Sequence, residues 1–477
     1  MQRPPPDLPA DVWSIVASFL PPEELGSLYG VNPALFDLSM KERYWRVCFN
    51  GDKRTMKWLR KNIVRKHVQG YVRTVEIKPW QIEERAAKKS FWWSLFRLLT
   101  RESDEWSKRA EEHRKQRKIA KAIKRISNAV KELPNVREYT VQCPEGDCHP
   151  ALVHGLLPSL TNWKDSLVKL TLCVPPDSLL CLAAVELNQL ERLELVFWSK
   201  APESFQYHVI EPLAVFINNL CTTLESLSIV ATRKATDVDL ALLFKALGTF
   251  SHLSHFDLSM PFDGSSFSTT RPLLSFVDRH KGLRSLELST KPAATRQSPT
   301  QPEHKEWIPR ILNLLDSSFR NVQQVNVALR PLKAKSISDA LIRFLSIHGH
   351  NLALLALTEN AGLSLEEVQA ILGATKHFYH LERLALNVQR VDEALFRLLA
   401  TRFPRLKHLE IGFMYPPISL HSLREDLNKN REFYSEWGLK RIEISCKCCP
   451  GPMEALLKEC IPSLEVVACS HPKSSST

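Results

Sequence analysis

The sequence predicts an α/β solenoid: an all-helical N-terminal unit followed by an irregular array of alternating strand and helix. Three observations carry this. Apolar residues recur at positions 1, 4 and 6 of short extended runs, from Val72, Val75 and Ile77 to Leu464, Val467 and Cys469, thirteen copies in all. Between them lie segments such as DVDLALLFKALGTF, ISDALIRFLSIH and VDEALFRLLATRF, whose apolar residues stand three or four apart, the spacing of one helix face. The opening stretch, Leu8 to Ser39, shows the helical spacing alone.

In that stretch Leu8, Val12, Ile15, Val16, Phe19, Leu20, Leu25, Leu28, Val31, Leu35 and Leu38 form the apolar stripe. Pro21 and Pro22, followed by Glu23 and Glu24, divide it into two short helices, because proline suits a first helical turn and carboxylates suit a helix N-terminus. So small a unit buries too little to be stable alone, and its apolar faces need partners. The stretch resembles an F-box, the motif by which adaptor proteins dock on the Skp subunit of SCF-type ubiquitin ligases. Leu8 and Pro9 with Asp11 match its opening, Val16 and Leu20 its first-helix anchors, Pro22 to Leu25 the start of its second helix, and Leu28 with Val31 the next stripe. Pro33 and Leu35 to Phe36 stand where an Arg and a Trp are usual. VNPALFDLSMKERY, DKRT and HVQGYVRTVEIKPW extend the likeness, to fungal F-box proteins, over about the first eighty residues. The resemblance implies that Leu8, Pro9, Val12, Val16, Phe19, Leu20, Leu25, Leu28 and Val31 contact the Skp adaptor and, through it, a cullin.

Residues 1–45 form this unit, and 46–80 read as linker helices and the first repeat strand. Residues 81–131 are a basic helical insertion comprising FWWSLFRLL (91–99) and a long cationic run in which Ile119, Ile123, Ile126 and Val130 make one narrow apolar stripe. Such a helix is a bracket on neighbouring repeats, an import signal, or a grip on phosphate or an acidic membrane. Residues 132–470 carry the array, with steps of 23 to 39 residues between strands from Val136 onwards. This is the pattern of a leucine-rich-repeat solenoid, with strands on the concave face and helices on the convex face. The Asn or Cys that ordinarily follows the strand is absent, which argues against a side-chain ladder along that turn. Ser364 and Glu367 make a capping box before Val368, and Pro134, Pro158, Pro404 and Pro462 mark helix ends before strands. Polar loops near Ser265 and Ser298 have nothing to bury and read as flexible, and the tail 471–477 as disordered.

Composition narrows the function. Only 15 glycines occur in 477 residues, where average usage of about 7% would give roughly 33. Phosphate-cradling loops and nucleophile elbows depend on glycine, no such motif is present, and no catalytic role is expected. Eleven dispersed cysteines read as buried thiols of a reducing compartment. The clusters Cys143, Cys148, His149 and Cys446, Cys448, Cys449 lack the paired spacing of a zinc site, so neither metal nor cofactor is expected. No apolar run approaches the length of a bilayer span, and the protein is expected in cytosol or nucleus. Residues 1–40 carry 1 basic and 5 acidic groups, 41–80 carry 12 and 3, 81–132 carry 15 and 8, and the remainder is balanced at 36 each. All the excess positive charge follows an acidic N-terminal unit.

Thirteen strands at about 4.8 Å spacing make an inner face of roughly 60 Å, suited to a folded protein and not to a small metabolite. Together with the F-box resemblance, this points to a substrate-recognition adaptor with a protein target on the repeats. Two alternatives are a non-ligase scaffold and a nucleic-acid-associated factor using the basic region 41–131, the latter disfavoured because the interleaved aromatics there suit packing.

Overall fold

A computed structural model describes residues 8–50, 66–87, 104–143, 150–198, 208–232, 235, 238–261, 266–291, 306–314, 316–329, 335–358, 362–373, 378–415, 420–445 and 450–470. FWWSLFRLL, most of both cysteine clusters, the apolar residues Met56 to Val64, the loop around Ser298 and the tail lie outside these residues. The chain divides into two compact units, Met1–Thr223 and Leu224–Thr477.

The first unit opens with three helices, α1 (Ala10–Ser18), α2 (Pro22–Ser27) and α3 (Pro33–Tyr44). The additional break comes from Asn32 and Pro33. The Asn32 side chain accepts the Leu35 N–H at 2.8 Å, and proline at the first helical position has no N–H to satisfy. Leu35, which departs from the F-box pattern, is the most buried member of the small core, with Ala17 and Leu25.

The segment expected to form linker helices contains a strand instead, β1 (Arg46–Phe49). Tyr44, Val47 and Phe49 are buried and occupy positions 1, 4 and 6, a fourteenth copy of the repeat. After the short helix α4 (Lys66–Gln69) come β2 (Thr74–Ile77), helices α5 (Pro79–Ala87) and α6 (Asp104–Lys131), then β3 (Glu138–Gln142). Helix α7 (Pro150–Leu156) leads through a 3-10 run, Leu157–Trp163, to β4 (Lys169–Cys173). Pro158 therefore stands where α7 has ended, as expected, and where this tighter helix begins. A second 3-10 run, Pro176–Ala184, precedes β5 (Arg192–Phe197), and α8 (Ile210–Asn218) follows. Strands β1 to β5 are parallel and in chain order.

In the second unit nine parallel strands follow the same rule: β6 (Ser226–Ala231), β7 (His255–Pro261), β8 (Ser285–Lys291), β9 (Gln324–Val327), β10 (Leu354–Leu357), β11 (Arg383–Val388), β12 (His408–Phe413), β13 (Arg441–Ser445) and β14 (Val466–Ser470). Helices α9 (Leu240–Ala246), α10 (Arg271–Arg279), α11 (Trp307–Leu312), α12 (Lys335–His348), α13 (Leu365–Leu372), α14 (Glu393–Arg402), α15 (Leu420–Lys429), α16 (Arg431–Ser435) and α17 (Pro450–Cys460) stand between them. Phe244 of α9 and Phe276 of α10 both pack on Phe256, at position 4 of β7. The expected capping box at Ser364 and Glu367 is present.

The strands are tied together before they begin. The N–H groups of residues 2 and 3 of each copy donate to one carbonyl of the copy before it: Lys407 and His408 to Glu382, Lys440 and Arg441 to Lys407, and likewise through both units. This satisfies backbone groups that would otherwise lie unpaired at the sheet margin. A side-chain ladder exists too, but at the residue before position 1. Asn135, Asn321 and Asn351 donate to the carbonyls of Gly70, Lys281 and Arg320 at 3.0–3.2 Å. Among the described cysteines Cys143 and Cys460 are buried as expected, while Cys221 is exposed. Among the described residues no helix is long and apolar enough to cross a membrane, and no cluster of His, Cys, Asp and Glu could hold a metal.

Candidate partner-binding site

Helix α1 has two apolar faces. Trp13 and Ala17, four apart, pack towards Leu25, Leu35 and Leu38. Val12, Ile15, Val16 and Phe19, at the i, i+3, i+4, i+7 spacing, share a different side of the helix. On that side Ile15 is 60% exposed and Phe19 81%. Leu8, Tyr29, Val31 and Phe36 add further exposed apolar surface around the same small core. The sequence-predicted contact residues thus separate. Leu8, Pro9, Val16, Phe19 and Val31 are exposed, Val12, Leu20 and Leu28 are half-buried, and Leu25 belongs to the core. Ile15, Tyr29 and Phe36 were not among those contact residues, although the spacing of Ile15 from Val12 and Phe19 was the signal for it.

This helical unit is tied to the first repeats. Tyr71 donates from its phenol to Asp37 on α3 at 2.7 Å, and Lys41 pairs with the same carboxylate at 2.7 Å. The Lys41 hydrogen bond, helped by Tyr71, holds the Asp37 carboxyl below its ordinary range. The main-chain N–H groups of Arg73 and Thr74 both donate to the Trp45 carbonyl, directly after α3.

Helix α6 lies on the repeats by its apolar stripe: Ile119, Ile126 and Val130 are buried. Lys115 pairs with Glu83 of α5 at 2.6 Å, Lys118 donates to the Ala86 carbonyl, and Ser127 donates to the Gly155 carbonyl of α7. Gly155 permits the close approach, since a Cβ there would stand 2.6 Å from a methyl of Ile123. The bracket reading of this segment is the one that its packing bears out. Arg114, Arg117, Lys121, Lys124, Arg125 and Lys131 have no carboxylate partner among the described residues.

In the second unit positions 3 and 5 of the strands face outward. Asp257, Glu287, Glu410 and Glu443 occupy position 5, interrupted by Ala356 and Ala385, and these alanines floor a notch of about 230 Å³. Arg383 and His408 also line it. His408 Nε2 lies 3.2 Å from Glu443 Oε1, out of hydrogen-bond alignment, and burial and the nearby Arg383 and Arg441 keep this imidazole below its usual pKa.

A larger groove of about 1200 Å³ runs beside the turns that precede β8 to β13. Its cations are Arg284, Arg320, Arg405, Lys407 and Lys440, against one carboxylate, Glu382. Lys407 pairs with Glu382 at 2.6 Å and Lys440 with Glu465 at 3.2 Å. Among the described residues Arg284, Arg320 and Arg405 are exposed and have no acidic partner. Position 2, held outward by the forked main-chain bonds, supplies Arg284, Lys407 and Lys440.

No family model and no curated protein matches the chain. Among solved structures it is similar to a chain in the crystal structure of the Rad7 and Elc1 complex in yeast, with 12% sequence identity, a TM-score of 0.39, and 91% of this chain and 86% of that chain covered.

Proposed function

We propose that this protein is the substrate-recognition adaptor of an SCF-type ubiquitin ligase. Its N-terminal helices dock on the Skp adaptor, which carries the cullin, and its repeats hold a protein target. The observation that carries the reading is the second apolar face of α1, where Ile15 and Phe19 are exposed beside a core of three buried residues. The resemblance of Leu8 to Val31 to an F-box says what covers that face. No bond is made or broken by this chain in such an assembly. Holding a target lysine near a charged ubiquitin carrier raises its effective concentration. The reading goes with a cytosolic or nuclear protein.

The test is co-expression of the full chain with a Skp adaptor. Burying a Leu- or Phe-sized side chain contributes about 1.5–3 kcal/mol, so Ile15→Asp with Phe19→Asp should weaken capture by at least about a hundredfold. The thermal melt should be unchanged, because both side chains are already exposed. Undiminished capture of the adaptor by the double variant rejects the docking mode.

A second reading, a nucleic-acid-associated factor, is favoured by the six cations of α6 that lack a carboxylate partner among the described residues. With its apolar stripe buried, α6 offers charge and no wedge for a membrane. Duplex binding that weakens steeply with salt, in a preparation that does not capture Skp, favours this reading.

A further inference from the structure

We infer that the basic groove beside β8 to β13 is the seat of an acidic, carboxylate-rich peptide segment of the target. This deepens the adaptor reading and rests on it. The lining carries five cations and one carboxylate, and three of the cations, Arg284, Arg320 and Arg405, have no acidic partner among the described residues. A guanidinium presents a planar fork that takes a carboxylate by two parallel hydrogen bonds, and leaving three of them to water on a concave surface favours an anionic occupant. From β8 to β13 is five strand steps, about 24 Å, which is the length of roughly seven residues of extended peptide.

The lining also says which polyanion fits. A single-stranded nucleic acid is held by aromatic rings on which successive bases stack. This groove has one exposed tyrosine, Tyr379, with the imidazole of His380 next to it, both just before β11, and no ring at its other lining positions. It has instead the Gln323 amide, which can pair with a peptide backbone.

Fluorescence anisotropy of the full chain with a labelled eight-residue glutamate peptide tests the assignment. The glutamine counterpart should bind at least tenfold more weakly, a contrast that needs no variant. Combining Arg284→Ala, Arg320→Ala and Arg405→Ala should cost the glutamate peptide at least tenfold, with the circular dichroism spectrum unchanged. Equal binding of the two peptides, indifference of binding to the three arginines, binding that requires phosphoserine in place of glutamate, or tighter binding of a single-stranded oligonucleotide through the same arginines overturns it. Capture of the Skp adaptor is read separately on the same preparation. Peptide binding without capture leaves the groove standing and removes the adaptor reading, and capture without peptide binding does the reverse.

Discussion

His280 shows how a single side chain can join two repeats. It is buried at the end of α10, its Nε2 accepts the Phe250 N–H at 2.9 Å, and the proton therefore sits on Nδ1, which lies 2.7 Å from the Phe276 carbonyl. The ring packs on Phe276 at 4.3 Å and on Phe250 at 5.7 Å. His348 stands in the same place at the end of α12, against Phe344 and Phe319, so Phe-x-x-x-His is a recurring joint. Burial, with Arg279 nearby, keeps the His280 imidazole below its ordinary pKa of 6.5. Below that value the unfolded chain binds a proton that the folded one resists, so the stability His280 contributes is present above about pH 6.5 and is lost as pH falls towards the lowered folded value. Urea midpoints of the native chain and of His280→Gln should therefore differ most near pH 8, and the gap should narrow between pH 6.5 and 5. A gap that stays constant contradicts the assigned tautomer. Neither histidine was legible beforehand, because a buried imidazole and an exposed one look alike in a sequence until the backbone N–H it accepts is known.

At the scale of elements, α6 and α7 meet closely at Gly155. Gly155→Ala would set a Cβ 2.6 Å from one methyl of Ile123 and 3.5 Å from the other. Overpacking of this kind costs about 1–3 kcal/mol. Ile123→Ala in the same chain should recover much of it, and simple additivity of the two changes in urea melts would show that the helices do not meet there. The strands were legible wherever leucine, isoleucine or valine held positions 1, 4 and 6, since burial of alternate side chains leaves its mark in composition. Tyr44, Val47 and Phe49 follow the same rule, but they sit in a stretch dense with Lys and Arg, and aromatic residues there read as helix packing. The pair Asn32 and Pro33 is a helix start whose cap was visible in the residue types, yet it was masked by reading Pro33 against the F-box pattern.

At the scale of the whole molecule, the two proposed binding surfaces reside in separate stretches of sequence, Leu8 to Phe36 and Arg284 to Lys440. Ile15→Asp with Phe19→Asp should leave glutamate-peptide affinity within about twofold of native, and the triple arginine variant should leave Skp capture intact. Both losses appearing together in either variant would mean that the substitution had disturbed folding. The N-terminal face was partly legible because its residues are neighbours in sequence and repeat with the helix period. The groove was not, because its cations come from four repeats, supplying Arg284, Arg320, Arg405 with Lys407, and Lys440, each unremarkable alone, and only the parallel register brings them into one row. Arg284, Lys407 and Lys440 of that row hang from main-chain forks that take no account of the side chain at position 2. Proline, which has no N–H to donate, is the residue those positions cannot accept. Charge, size and polarity at each rung can therefore be rewritten one repeat at a time without retuning the frame, which makes the array a surface whose choice of cargo is free to drift while its architecture stays fixed.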